Sequence, residues 1–126
     1  MTYECNSFFY KYIEDNKDKS LKYGVWDCFI FVKGIHKTSI GDEFKGNYKY
    51  KKEYFERLKE IGFTTIKSYC DEKLITIENK QLQRTDIVIY KDALGLCDGI
   101  NSIFLNKKGY TFVKTNLVDK GYRCHK

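Results

Sequence analysis

The 126-residue chain has no proline, two histidines, one tryptophan and one methionine. Without proline, breaks between regular elements fall to Gly, Asn and Asp. No apolar run approaches the roughly 20 residues that a membrane-spanning helix needs, and the N-terminus lacks the basic-then-apolar pattern of a secretory signal. A membrane span is not expected, and the chain is expected to stay where it is made. Repeats, low-complexity tracts and linkers are missing too.

Five cysteines stand at positions 5, 28, 70, 97 and 124, with no CxxC pair and no close His–Cys spacing. That pattern disfavours a zinc knuckle and a disulfide scaffold, and fits reduced thiols in a cytosolic setting. No metal and no cofactor are expected.

What is present is a core made of rings. Hydrophobic residues make up 42% and aromatics 17%, with 11 Tyr and 9 Phe. This composition excludes disorder, and the length suits one domain over residues 1–126. The net charge of +6 raises nucleic acid as a partner, and Lys49-Tyr50-Lys51-Lys52 mixes basic with aromatic residues. The lysines, however, are spread along the chain and arginines are few, whereas phosphate and base recognition favours clustered Arg forks. A protein partner is the better expectation.

Periodicity gives the order of elements. Phe8, Phe9, Tyr12 and Ile13 predict an amphipathic helix over 5–17. Gly24 then frees the backbone, and Asp27 caps a second helix running from Cys28 to about His36. Its Phe29, Ile30, Phe31, Val32 and Ile35 are apolar on nearly all sides, as in a buried helix. Tyr54, Phe55, Leu58 and Ile61 predict a third helix over 51–61, stopped by Gly62. The segment 64–74 keeps near-helical spacing without clear bounds. From Leu82 onward short β-type runs follow: 87–90, 93–97, 103–105, 110–113 and 122–124, separated by Asn, Asp and Gly. The expected class is α+β, with N-terminal helices on a C-terminal antiparallel sheet.

Cys28 is the most informative residue. At a helix start, unpaired N–H groups and the positive end of the helix dipole favour thiolate, which primes a nucleophile. The alternative is a small buried hydrophobe beneath Trp26. Trp26, Tyr23 and Tyr48 would line a binding groove beside the thiol, or else pack at the helix entrance as core.

The run Tyr23-Gly24-Val25-Trp26-Asp27-Cys28-Phe29-Ile30-Phe31-Val32 resembles the Asp-Cys helix start of the NlpC-type branch of papain-like cysteine peptidases. It is similar in particular to small phage proteins of that branch. Gly46-Asn47-Tyr48 matches their Gly-x-Tyr before a helix, and Thr85-Asp86-Ile87-Val88-Ile89 their Gly-Asp and hydrophobic strand. Ala93-Leu94-Gly95-Leu96-Cys97 matches the next strand, and Gly109-Tyr110 with Tyr122-Arg123 the closing elements. The resemblance spans roughly 20–126 and implies Cys28, directly after Asp27, as nucleophile; Trp26, Tyr23, Tyr48 and Asp27 are the candidate binding residues beside it. It also implies a basic histidine at the strand opening, where this chain has Ala93, and a polar orienting residue where it has Leu105.

His36, about 12 Å further along the same helix at 1.5 Å per residue, is too far to serve as base. It is expected to cap the helix end as a cation or to sit in solvent. His125 stands next to the C-terminus, where fraying is common, and is not expected to reach the thiol. Asp27, Asp86 and Asp98 read as a helix cap, a strand-start turn and a hairpin turn. The expectation is thus a phage-type NlpC-like pseudoenzyme that acts by binding, in the host cytoplasm or with the virion. Its rivals are an inhibitor of a host enzyme or defence complex, of anti-CRISPR type, and an active Cys28-dependent amide hydrolase or acyltransferase.

Overall fold

In the computed structural model of the protein, residues 3–44 and 51–124 are described, with side chains described from Ser7 onward. The Gly46-Asn47-Tyr48 segment, with the site candidate Tyr48, and His125 lie outside the described residues.

The first helix, α1 (Tyr3–Asp15), starts two residues earlier than the spacing predicts. Phe9 is buried and Tyr12 and Ile13 pack on the core, but Phe8 turns to solvent. The helix ends where Asn16 and Lys17 N–H groups return to the carbonyls of Ile13 and Glu14, tightening the last turn. The second helix, α2 (Cys28–Lys33), opens at Asp27, whose Oδ1 accepts from the Phe29 and Ile30 N–H groups at 3.1 Å each.

Helix α2 stops three residues short of the expected His36. The Ile35 N–H returns to the Val32 carbonyl, and the His36 ring turns away to meet the Thr85 carbonyl at 2.5 Å. Gly34, at the end of the helix, leaves room for Tyr12: a β-carbon there would stand 2.1 Å from the tyrosine oxygen. Tyr12 uses that approach to donate to the Phe31 carbonyl, tying α1 to α2.

Helix α3 (Lys51–Glu60) buries Tyr54 and Leu58, in line with its predicted stripe. The ambiguous segment forms α4 (Ile66–Lys73), fixed by a capping box between Thr65 and Ser68. A sheet follows, antiparallel throughout: β1 (Ile75–Ile77), β2 (Ile87–Tyr90), β3 (Ala93–Asp98), β4 (Asn101–Asn106), β5 (Gly109–Lys114) and β6 (Lys120–Arg123). Its order is β1-β6-β2-β3-β4-β5, so β6 returns to lie between β1 and β2. Strand β1 is absent from the periodicity reading because three residues are too few to show alternation.

The α+β class with helices packed on a C-terminal sheet is what the structure shows. One face of the sheet, with Ile87, Ile89, Leu94, Leu96, Ile103 and Tyr122, shares a single core with Phe9, Phe29, Phe31, Val32, Leu58 and Tyr69 from the helical half. On the other face a smaller cluster of Val88, Cys97, Phe104 and Val118 is covered by Leu82 and Val113. Helix α2 lies against β3, which brings the Cys28 end of the helix to the start of that strand. Among the described residues, no helix is long and apolar enough to cross a membrane.

Candidate functional site

Before α2 the chain makes a tight loop in which Lys22 and Trp26 exchange backbone hydrogen bonds at 2.8–2.9 Å. Gly24 turns the loop at φ +81°, a conformation costly for residues with a β-carbon, and its N–H donates to Asp27 Oδ2 at 2.9 Å. The Tyr54 hydroxyl donates to the same oxygen. Asp27, only 1% exposed, is therefore held by three backbone N–H groups and one phenol. Its lone pairs are occupied by structural bonds, leaving it ill-suited to take a proton from a neighbour.

Cys28 stands in the wall of a cavity of about 70 Å³, roughly the room of two waters. The cavity is lined further by the apolar and aromatic Leu21, Tyr23, Tyr54, Phe55, Ile66, Ala93, Leu94 and Leu105 and by the charged Asp27, Lys51 and Asp92. The positions for which the family resemblance implies nucleophile, base and orienter, Cys28, Ala93 and Leu105, thus line one cavity. Two of the three carry side chains that cannot move a proton.

Burial pushes the Cys28 thiol up to about 12. The backbone N–H groups of Leu94, Cys28 and Phe29 pull it down, and the neighbouring Asp27 carboxylate pushes it further up. The residue as a whole keeps partial exposure, yet its sulfur is enclosed, so desolvation outweighs the helix start. A six-residue helix also offers only a short dipole. The structure therefore stabilises the neutral thiol, the opposite of the priming expected from helix position alone.

The other candidates divide. Tyr23 lies in the cavity wall, its ring 5.2 Å from that of Tyr54, and burial with the nearby Cys28 and Asp27 raises its pKa. Trp26 does not line the cavity; it is 7% exposed and packs on Phe31 and Tyr12, with the Lys19 ammonium 4.7 Å above its ring. The core-packing alternative describes its place. His36 neither caps α2 as a cation nor sits in solvent: burial lowers its pKa, and it is engaged with Thr85. Among the described residues no histidine faces Cys28 and no cluster of metal-ligating side chains forms.

Two contributors escape the sequence reading. Tyr54 was legible as core, but a buried phenol needs a hydrogen-bond partner, and that requirement points to a nearby carboxylate. Asp92 occupies the two-residue turn between β2 and β3, where Lys91 and Asp92 take φ +48° and +59°. Its carboxylate accepts from the Ile66 and Lys67 N–H groups at 3.2 and 3.0 Å, so the hairpin tip caps α4 from outside.

The remaining motif residues meet at a second corner. Asp86, 4% exposed, receives a two-point guanidinium contact from Arg123 at 2.9 and 2.7 Å and the Gln83 N–H at 2.8 Å. Thr85 holds φ +81°, as the third residue of a turn closed by the Asp86 N–H on the Gln83 carbonyl. The Asp98 carboxylate pairs with Arg84 Nε at 2.7 Å beside the Gly99-Ile100 turn.

Residues 5–124 match the family described as "Domain of unknown function (DUF6950)". The chain belongs to that family. The DUF6950 match takes in every element from within α1 through β6, and so both corners and the Cys28 cavity. Comparison with curated proteins finds none that matches.

Proposed function

We propose that this DUF6950 protein is an NlpC-like, papain-type scaffold whose Cys28 cavity binds a partner group instead of cleaving one. The observation that supports the reading is that Cys28 shares one cavity with Ala93 and Leu105, the two positions at which the resemblance implies a base and its orienter. Acyl transfer from a thiol needs a group within about 2.6–3.2 Å that can accept its proton. The carboxylates of the lining are committed elsewhere, Asp27 to the start of α2 and Asp92 to the start of α4. What remains is a small, mostly apolar recess suited to the side chain of a protein partner, with Tyr23 and Tyr54 offering flat rings. In a phage setting, occupying a host enzyme or defence complex is one form such binding takes.

The test is thiol reactivity. At neutral pH, iodoacetamide labels Cys28 more slowly than a free model thiol, read by peptide mass with Cys28→Ser as control. Labelling faster than the model thiol would overturn the binding reading and favour an amide hydrolase or acyltransferase.

A further inference from the structure

The two edges of the sheet are built differently. Edge strand β1 is three residues long and flanked by Lys73 and Glu78, features that discourage another strand from adding to it. Edge strand β5 is six residues long; Gly109-Tyr110-Thr111-Phe112-Val113 carries neither charge nor proline, and its charges are confined to the ends, Lys108 before the strand and Lys114 as its last residue. These residue types favour strands, and Phe112 is 60% exposed.

The register fixes which backbone groups face outward. The Thr115 N–H donates to the Ile100 carbonyl, and alternation from that pair makes Ser102↔Val113, Phe104↔Thr111 and Asn106↔Gly109 the bonded pairs of the β4–β5 ladder. The N–H and C=O groups of Tyr110, Phe112 and Lys114 therefore point away from β4. Among the described residues they have no backbone partner.

We propose that the β5 edge pairs antiparallel with the β5 edge of a second copy of this chain, about a two-fold axis at Phe112. In that register Phe112 faces its own copy and Tyr110 faces Lys114 of the other chain. Two exposed phenylalanines then cover each other, and each Lys114 lies opposite Tyr110, whose ring packs on Phe31 and whose hydroxyl donates to the Ile13 carbonyl, instead of opposite a like charge. The Tyr110 and Phe112 rings, 6.4 Å apart, would continue as one aromatic row across the junction. A six-residue edge is small beside the roughly 1,200–2,000 Å² of a stable complex, and two basic chains repel, so the dimer is concentration-dependent. The inference is independent of the Cys28 reading.

Sedimentation across a concentration series up to the millimolar range tests it, with the expected mass rising to twice the 15.0 kDa of one chain. Phe112→Pro removes an outward N–H while leaving the β4–β5 bonds in place, and Phe112→Lys adds a guarding charge; both should stay at single-chain mass with the unfolding temperature of the parent within a few degrees. In the proposed register the two 112 positions have Cα atoms about 5.5 Å apart, within disulfide reach. Oxidised Phe112→Cys should therefore give a covalent dimer that Thr111→Cys and the parent do not. A parent that remains single-chain throughout, a dimer indifferent to both substitutions, or a failure of the 112 crosslink overturns the proposal. A single-chain parent that nonetheless gains a strand-like partner from an added β-peptide would assign the edge to another protein.

Discussion

Asp27 and Asp86 are both buried, both stand directly before a regular element, and both lie close to a residue at φ +81° (Gly24, three positions before Asp27, and Thr85, directly before Asp86), yet they are satisfied in different ways. Asp27 is surrounded by neutral donors: backbone N–H groups and the Tyr54 hydroxyl. Asp86 faces the Arg123 guanidinium. The left-handed residue is glycine at the first corner and threonine at the second. The first arrangement leaves a negative charge beside a thiol with no cation to offset it, so the corner holds the site's shape and suppresses its reactivity. The second is an ion pair that clamps the last strand to the sheet and has no contact with the cavity.

Arg123→Ala should produce the largest effect. It leaves the Asp86 carboxylate buried without its cation, which costs about 3 kcal/mol. Chemical denaturation should show a lower midpoint with an unchanged slope, while Cys28 labelling in the folded protein stays at its parental rate. A faster label would mean that the two corners are coupled.

Asp27→Asn comes next. The amide keeps the cap oxygen but sets an NH2, which cannot accept, against the Gly24 N–H and the Tyr54 hydroxyl, a loss of about 1–2 kcal/mol. With the adjacent negative charge gone, the Cys28 thiol should titrate below its parental value of about 12. Absorbance of the thiolate against pH, compared with Cys28→Ser, reads that change, and an unmoved titration would show that burial alone sets it.

Thr85→Gly should have the smallest effect, with the opposite sign. A β-branched residue at φ +81° is strained by about 1–2 kcal/mol, of which glycine's extra freedom in the unfolded chain cancels a part. A net gain of about 0.5 kcal/mol, seen as a small rise in melting temperature, would make the second corner resemble the first. A fall would mean that the threonine side chain contributes more than its backbone costs.

Much of the architecture was legible because long, periodic segments were. The Tyr54–Leu58 stripe, the burial of Phe29, Phe31 and Val32 and the runs at 87–90 and 93–97 all occur where the sequence places them, whereas Ile30, expected to be buried with its helix, is 36% exposed. The end of α2 was not legible, because there the His36 ring is drawn to the Thr85 carbonyl, far away in sequence. The insertion of β6 between β1 and β2 is a long-range pairing that no local pattern records.

At the site, Asp27 as cap and Cys28 at the helix start follow from spacing alone. The height of the thiol's pKa does not, since enclosure by Leu94, Leu105 and Ile66 comes from three separate elements. Trp26 shows the converse: its neighbours in sequence line the cavity, but its ring points into the core.

The tip of the β2–β3 hairpin has a mechanical consequence. Asp92 is anchored to the first turn of α4, and the Lys91 N–H is anchored to Asp119, so the turn is held from both sides. Ala93, the next residue, cannot shift without breaking one of these anchors. Any widening of the recess to admit a guest then falls to lining side chains outside the hairpin, such as Tyr23 and Phe55, which makes them the adjustable jaw and the hairpin the fixed one.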